Sequence, residues 1–238
     1  MAEDVKSVGD IRHIVYINLE DRPDRREQVE RELAGVAWGG TPERFSALRD
    51  PVHGASSLGC TRSHLACLER AVREGWDHVL VVEDDIQFLR PAVFVARFER
   101  LLATVGGTGW DVVLLAGNNM WPFEELRAPG TGGDEFVSVR VRHCLTTTGY
   151  LVAGHYLPTL VENVRAGLTR LEREPKHTQE YAIDTFWIRL QERDRWFLVA
   201  PCTVVQRAGH SDVQGRRVDF REYMVNHRKA YAGAYTGV

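Results

Sequence analysis

The 238-residue sequence predicts an α/β fold with a mostly parallel central sheet and helices on both faces. Three observations carry this. The runs Arg12 to Leu19, His78 to Val82 and Val112 to Ala116 are rich in β-branched residues and continuously apolar, the pattern of strands covered on both sides. Segments with helical spacing separate them. The second run leads without a break into three carboxylates, Glu83, Asp84 and Asp85, as expected where a buried strand opens onto a crevice.

Each element follows from local chemistry. After the first strand, Asp21-Arg22-Pro23-Asp24 starts a helix, because Pro23 suits a first helical position and Asp24 suits the positive end of the helix dipole. Leu58, Leu65, Leu68 and Val72 mark the buried stripe of a helix over Thr61 to Glu74, which Gly75 ends. A third helix spans Ala92 to Leu102. Residues 117–134 are rich in turn formers and read as an active-site loop. Phe136 to Val141 and Thr146 to Val152 read as a hairpin around His143-Cys144. Helices over His155 to Ala166 and Glu180 to Arg193 and short strands at Trp196 to Ala200 and Thr203 to Val205 complete the pattern. The last 30 residues are polar and aromatic with weak periodicity and read as a wrapping tail or a partly mobile one.

Composition narrows the function. Apolar residues make up 44% and charged residues 26%, the balance of a globular chain, and the net charge of -3 provides no basic field for nucleic acid. Met1-Ala2-Glu3-Asp4 has no signal-peptide character, and no run approaches the roughly 20 apolar residues of a spanning helix, so a cytoplasmic protein without a transmembrane segment is expected. Cys60, Cys67, Cys144 and Cys202 form no C-x-x-C pair and read as buried free thiols. Dinucleotide, P-loop and nucleophile-elbow signatures are absent.

Four places can carry chemistry. In an extended chain Glu83 and Asp85 project to one side, and hard oxygen ligands of this kind suit Mg²⁺ or Mn²⁺ held partly by substrate phosphates; a solvated acidic turn is the alternative. His210, beside Ser211-Asp212-Val213, is a metal ligand or a hydrogen-bonded structural histidine. Asp184, in a partly apolar helical setting, is a general base or a carboxylate stabilising a helix dipole. Arg22, Arg25 and Arg26 follow the first strand and either contact a phosphate or lie solvated.

In order along the chain, Val15-Tyr16-Ile17-Asn18-Leu19 with Arg22-Pro23-Asp24-Arg25-Arg26, Gly59-Cys60-Thr61-Arg62-Ser63-His64-Leu65 and Val82-Glu83-Asp84-Asp85-Ile86 are followed by Thr148-Gly149-Tyr150, Asp184, Pro201 through Gln206 and Ser211-Asp212-Val213. This set resembles glycosyltransferase family 25, the lipooligosaccharide galactosyltransferases and their collagen-modifying relatives, over residues 11 to about 215. The resemblance implies a GT-A, Rossmann-like nucleotide-binding fold, a UDP-sugar donor, Mn²⁺ or Mg²⁺, and inverting transfer of a hexose, galactose in that family, to a glycan, small-molecule or protein acceptor. It implies Asp85 and His210 as metal ligands, Asn18, Arg22, Arg25, Ser63, His64, Glu83 and Asp84 around the donor, and Asp184 as the base. Glu83 stands where a strict D-x-D has its first Asp, so which carboxylate meets the ion stays open.

The expected organisation is one domain over residues 1–238, with a donor half at 11–116, an acceptor and catalytic half at 117–215 and a tail at 216–238. A metal-dependent nucleotidyltransferase and a non-catalytic nucleotide-sugar-binding relative are the alternative functions.

Overall fold

The computed structural model describes residues 5–227 except 51, 53–55, 107–108 and 131–132. Its strands are β1 (Ile14–Asn18), β2 (Glu43–Ser46), β3 (His78–Glu83), β4 (Ile86–Phe88), β5 (Val112–Leu114), β6 (Asn118–Asn119), β7 (Phe123–Gly130), β8 (Gly133–Val141), β9 (Cys144–Leu145), β10 (Gly149–Ala153), β11 (Trp196–Leu198), β12 (Val204–Gln206), β13 (Gly209–Ser211) and β14 (Arg216–Val218). The helices are α1 (Pro23–Ala34), α2 (Ser57–Arg73), α3 (Pro91–Val105), α4 (Leu157–Arg173), α5 (Thr178–Tyr181), α6 (Ile183–Phe186), α7 (Ile188–Arg193) and α8 (Arg221–Val225).

An 8-stranded sheet in the order β2-β1-β3-β10-β5-β11-β8-β7 organises the chain. Strands β2, β1, β3, β5 and β11 share one direction, and β10 runs against its neighbours β3 and β5. Side-chain alternation along the strands divides two apolar clusters between the faces. Val15, Val79, Val81, Val112, Leu114 and Val152 point to the face covered by Leu65 and Leu68 of α2 and Leu160 and Val164 of α4. Ile14, Tyr16, Leu80, Val82, Val113 and Leu151 point to the face covered by Val29 and Leu33 of α1 and Phe94 and Phe98 of α3. Both faces are buried, which is why these strands lack polar alternation. The predicted α/β class with two helical layers is therefore the observed one.

Several segments differ from their sequence reading. The strand at 149–153 does not pair with 136–141; it inserts at the centre of the sheet, with Tyr150 opposite both Val81 and Leu114. Its five residues are all buried, so it needs neighbours on both edges and both faces, which a surface hairpin cannot supply. The stretch 117–134 is largely an edge hairpin, β7 with β8, rather than an active-site loop. Phe123, Leu126 and the buried residues of β8 anchor it, and only Asn118 of this stretch lines the cleft described below; Thr131 and Gly132 lie outside the described residues. The single helix expected over Glu180 to Arg193 is three short ones: Ala182, extended with ψ 150°, separates α5 from α6, and Trp187 lies between α6 and α7. The Thr185 hydroxyl bonds the Ala182 carbonyl at 2.9 Å and Asp184 sits in the first turn, so local side-chain chemistry starts a new helix there. The tail, as far as His227, packs on the fold: Met224 is fully buried in the second cluster. Met1 to Asp4 and residues 228–238 lie outside the described residues.

Asp111 locks the end of the sheet remote from β3's carboxylates. Its carboxylate is buried and accepts hydrogen bonds from the backbone N–H of Arg195 at 2.8 Å, the Arg195 guanidinium at 2.7 Å and His155 Nε2 at 2.8 Å. Burial pushes this carboxyl up, but the Arg195 and His155 hydrogen bonds outweigh it and hold it below the ordinary value of 3.8. Its contribution to stability is thus present above pH 3.8 and disappears as pH falls through the lower folded value. We expect Asp111→Ala to lower unfolding stability by about 3 kcal/mol in urea titrations at neutral pH, with the difference from the parent shrinking in acid.

Candidate functional site

A cleft of about 590 Å³ opens where β1 and β3 end. In α/β sheets this is the edge at which ligands bind, because the strand ends and the helix N-termini converge there. Leu19 follows β1, Glu83 closes β3, and Asp84-Asp85 form the turn into β4. Cys60 and His64 of α2, Thr146 and Thr147 before β10, Asp184 of α6, Gln206 of β12 and residues 211–214 of the β13–β14 hairpin supply the remaining walls.

The chain turns at Asp84-Asp85 instead of staying extended, and all three carboxylates line the cleft. Each has its own partners. Glu83 Oε1 accepts from Thr147 Oγ1 at 2.8 Å and lies 3.2 Å from His64 Nε2 and 3.7 Å from Cys60 Sγ. Burial raises its pKa, and the His64 contact with the Thr147 and Cys60 hydrogen bonds brings it net below the ordinary glutamate value. Asp84 accepts from Asn18 Nδ2 at 2.8 Å and Arg25 at 2.9 Å, yet burial still raises its pKa. Asp85 accepts from Gln206 Nε2 at 2.8 Å through Oδ2, while its Oδ1 is buried with no hydrogen-bond partner. Burial, with the charges of Glu83 and Asp84 beside it, pushes Asp85 up to about 7.

The other sequence-predicted residues fall into two groups. Arg25, Ser63, His64 and Asp184 line the cleft with the carboxylates, and Asn18 is hydrogen-bonded to one of them. Asn18 lies behind Asp84 and also bonds the Arg22 carbonyl at 3.1 Å. Ser63 braces the wall: its hydroxyl donates to the Gly59 carbonyl at 2.7 Å and accepts from Leu48 N–H at 2.8 Å. Gly59 permits that approach, because a Cβ there would stand 2.5 Å from the Leu48 carbonyl oxygen. Asp184 accepts from Thr146 N–H at 3.1 Å and is raised above the usual carboxylate range, first by burial and then by the charge of Glu83. Arg22 and His210 stand apart. The Arg22 guanidinium is engaged by Asp24 at 2.9 Å and by Asp212. His210 is exposed, outside the cleft lining, and its backbone carbonyl, not its imidazole, meets Arg25.

Sequence reasoning passed over Cys60, Thr146, Thr147 and any individual role for Gln206. The spacing of Cys60 and His64, one turn apart on α2, was the available signal for the first. Nothing in the sequence marks Thr146, which has φ 80°. A β-branched residue in the left-handed region is strained, and here it turns its N–H onto Asp184.

No protein-family model and no curated protein matches the chain. Solved structures that are similar include a glycosyltransferase involved in glycosylation of the major capsid of PBCV-1, with 10% identity, 84% of this chain and 94% of that one covered, and a TM-score of 0.44. A mannose-1-phosphate geranyltransferase from Thermus thermophilus has 14% identity, 83% and 74% coverage and a TM-score of 0.38. The apo-form glycosyltransferase GlyE of Streptococcus pneumoniae has 10% identity, 78% and 44% coverage and a TM-score of 0.41, so the chain spans less than half of it. Likenesses of this size assign no chemistry, which rests on the cleft itself. No helix among the described residues is long and apolar enough to cross a membrane.

Replacing Thr146 with glycine removes the Cβ from a left-handed backbone, a relief of roughly 1–2 kcal/mol. Against this stands the extra backbone entropy of glycine, roughly 0.5–1 kcal/mol. We expect Thr146→Gly to raise the unfolding temperature by a few degrees in calorimetry, the opposite of an ordinary buried Thr→Gly change.

Proposed function

We propose that the chain is a divalent-metal-dependent, inverting glycosyltransferase of GT-A type, acting in the cytoplasm, that moves a hexose from a UDP-sugar to an acceptor hydroxyl. Galactose as the hexose, and a glycan, small molecule or protein as acceptor, follow from the family resemblance. The observation that carries the reading is the charge of the cleft. Glu83, Asp84, Asp85, Asp184 and Asp212 line it against Arg25 and Arg216, so an anionic diphosphate needs a cation to bind there. Asp85 is the fitting ligand: Oδ1 is a buried acceptor without a partner, a hard carboxylate oxygen of the kind that suits Mn²⁺ or Mg²⁺. When bound, such an ion would neutralise charge developing on the departing nucleoside diphosphate.

The residues around it divide the remaining tasks. Arg25 balances Asp84 and stands in the cleft wall, where it can meet a phosphate oxygen. Arg22 orders the entrance through Asp212, and Asn18, Ser63 and His64 hold the backbone and carboxylates that shape the donor pocket. Asp184 takes the acceptor hydroxyl proton as the oxygen attacks the anomeric carbon. Its raised pKa makes it a stronger base than an exposed aspartate, and the Thr146 N–H holds one of its oxygens fixed. His210 in its exposed position would reach an ion only if the β13–β14 hairpin moved inward, so Asp85 is the primary ligand in this reading.

Calorimetric titration of UDP with and without Mn²⁺ tests the donor site before the acceptor is known. We expect Mn²⁺-dependent binding by the parent and its loss in Asp85→Ala, with transfer reduced at least about 100-fold. UDP binding that ignores both metal and mutation would overturn the assignment. Release of UDP from a UDP-sugar separates this reaction from nucleotidyl transfer, which releases pyrophosphate. Asp184→Asn should keep UDP and Mn²⁺ binding while kcat falls by roughly 10²–10⁴. An unchanged kcat would remove Asp184 as the base.

A further inference from the structure

We propose that Cys60, His64 and Glu83 form a binding site for a thiophilic divalent cation of the zinc class, with a donor set separate from that of Asp85. The inference depends on these donor atoms alone and holds or fails independently of the nucleotide-sugar reading.

Cys60 and His64 are four residues apart on α2 and so lie one above the other on a single helix face. Glu83 is the last residue of β3, packed beside that helix. Both supports are regular elements. One ligand atom from each residue falls within 4.8 Å of the other two. His64 Nε2 is 3.2 Å from Glu83 Oε1, and Cys60 Sγ is 3.7 Å from the same oxygen. Around a tetrahedral ion with bonds of about 2.0 Å to nitrogen or oxygen and 2.3 Å to sulfur, neighbouring ligands stand roughly 3.3–3.6 Å apart. Two of the three spacings bracket that range and the third, between Cys60 Sγ and the His64 ring nitrogen, lies within 4.8 Å, so side-chain adjustment would close the site.

The surroundings fit the same chemistry. His64 Nδ1 is 2.9 Å from the Tyr150 hydroxyl, which fixes the ring and leaves Nε2 as the ligand nitrogen. Thr147 Oγ1 bonds Glu83 at 2.8 Å and orients its carboxylate. Cation binding would release the Cys60 thiol proton to solvent, leaving a thiolate, and would put a metal bond in place of the His64–Glu83 contact. A thiolate-imidazole-carboxylate set prefers Zn²⁺ or Co²⁺ to Mg²⁺ or Mn²⁺, whereas the free Asp85 carboxylate oxygen has the reverse preference. Three protein ligands leave a fourth position, and all three residues line the cleft, so that position is accessible from it. The cleft would thus hold two cation classes at two places.

Cobalt(II) titration of the full chain, read by absorbance, tests this directly. We expect one equivalent to give a near-ultraviolet thiolate-to-cobalt charge-transfer band with strong visible bands of four-coordinate cobalt, and zinc to bleach both. Cys60→Ser should abolish the charge-transfer band, and His64→Gln should weaken zinc binding by at least about tenfold. Cys67→Ser, at a thiol buried elsewhere, and Asp85→Asn should keep the band. Far-ultraviolet circular dichroism checks that each variant folds, and the parent spectrum decides even if one does not. A parent without the band at saturating cobalt, or a band that survives Cys60→Ser or disappears with Asp85→Asn, would overturn the proposal. Failure of the nucleotide-sugar reading would show instead as absent UDP binding with the cobalt spectrum unchanged.

Discussion

The constraint on which the site depends is the crowding of three carboxylates into the turn where β3 leaves the sheet. Like charges this close, partly removed from water, cannot all stay ionised without compensation. The fold answers each one from a different direction. Asn18 comes from the end of β1, Arg25 from α1, His64 from α2, Thr147 from the approach to β10, and Gln206 from β12. Much of the topology around the cleft can be read as the delivery of these five side chains. The β4–β12 ladder is an example, since its register sets Gln206 opposite Ile86 and hence beside Asp85.

Compensation is unequal, and the inequality matters chemically. Glu83 gains enough hydrogen bonds to outweigh its burial, Asp84 gains an arginine and an amide, and Asp85 gains a single amide. The least compensated carboxylate is the one pushed up to about 7 and left with a bare buried oxygen. Arg25 relieves it only in part: its nitrogen is 3.9 Å from Asp85 and 2.9 Å from Asp84, and its charge does not offset the burial and the two neighbouring carboxylates that raise Asp85. The same guanidinium also meets the His210 carbonyl, so the β13–β14 hairpin is tied to the charge balance of the turn. A cation at Asp85 would therefore alter more than one carboxylate.

The sequence made the frame of the molecule legible and its closing parts obscure. Continuous apolar runs disclosed β1, β3 and β5, because strands buried on both faces have no polar alternation to hide them. The acidic turn was visible for the same reason: charge directly after such a run has few places to go. The central position of β10 was not visible, since its pattern states burial and not partners, and its neighbours in the sheet are distant in sequence. Asp184 was placed on a longer helix than it occupies, because the apolar spacing of Ile183, Phe186, Trp187 and Leu190 ignores the extended Ala182. His210 looked like a ligand by its place beside Ser211-Asp212, but a two-strand hairpin offers its side chains alternately to cleft and solvent, and the imidazole falls on the solvent side. Cys60 was grouped with the three buried thiols, and only the helix geometry brings it to Glu83.

The antiparallel course of β10 links these features. A strand parallel to β3 would begin at the opposite edge of the sheet and reach the carboxylates only at its end. Running the other way, β10 begins beside the end of β3, where Glu83 N–H bonds the Thr148 carbonyl at 3.0 Å. The residues that lead into it must then pass over the acidic turn, and they are three threonines. Thr147 spends its hydroxyl on Glu83, and Thr146 adopts the left-handed conformation that presents its N–H to Asp184. One reversed strand thus couples Glu83 with Asp184, the carboxylate proposed as the base. Adjacent residues hold the two carboxylates, and the strain at Thr146 is located at the joint between them.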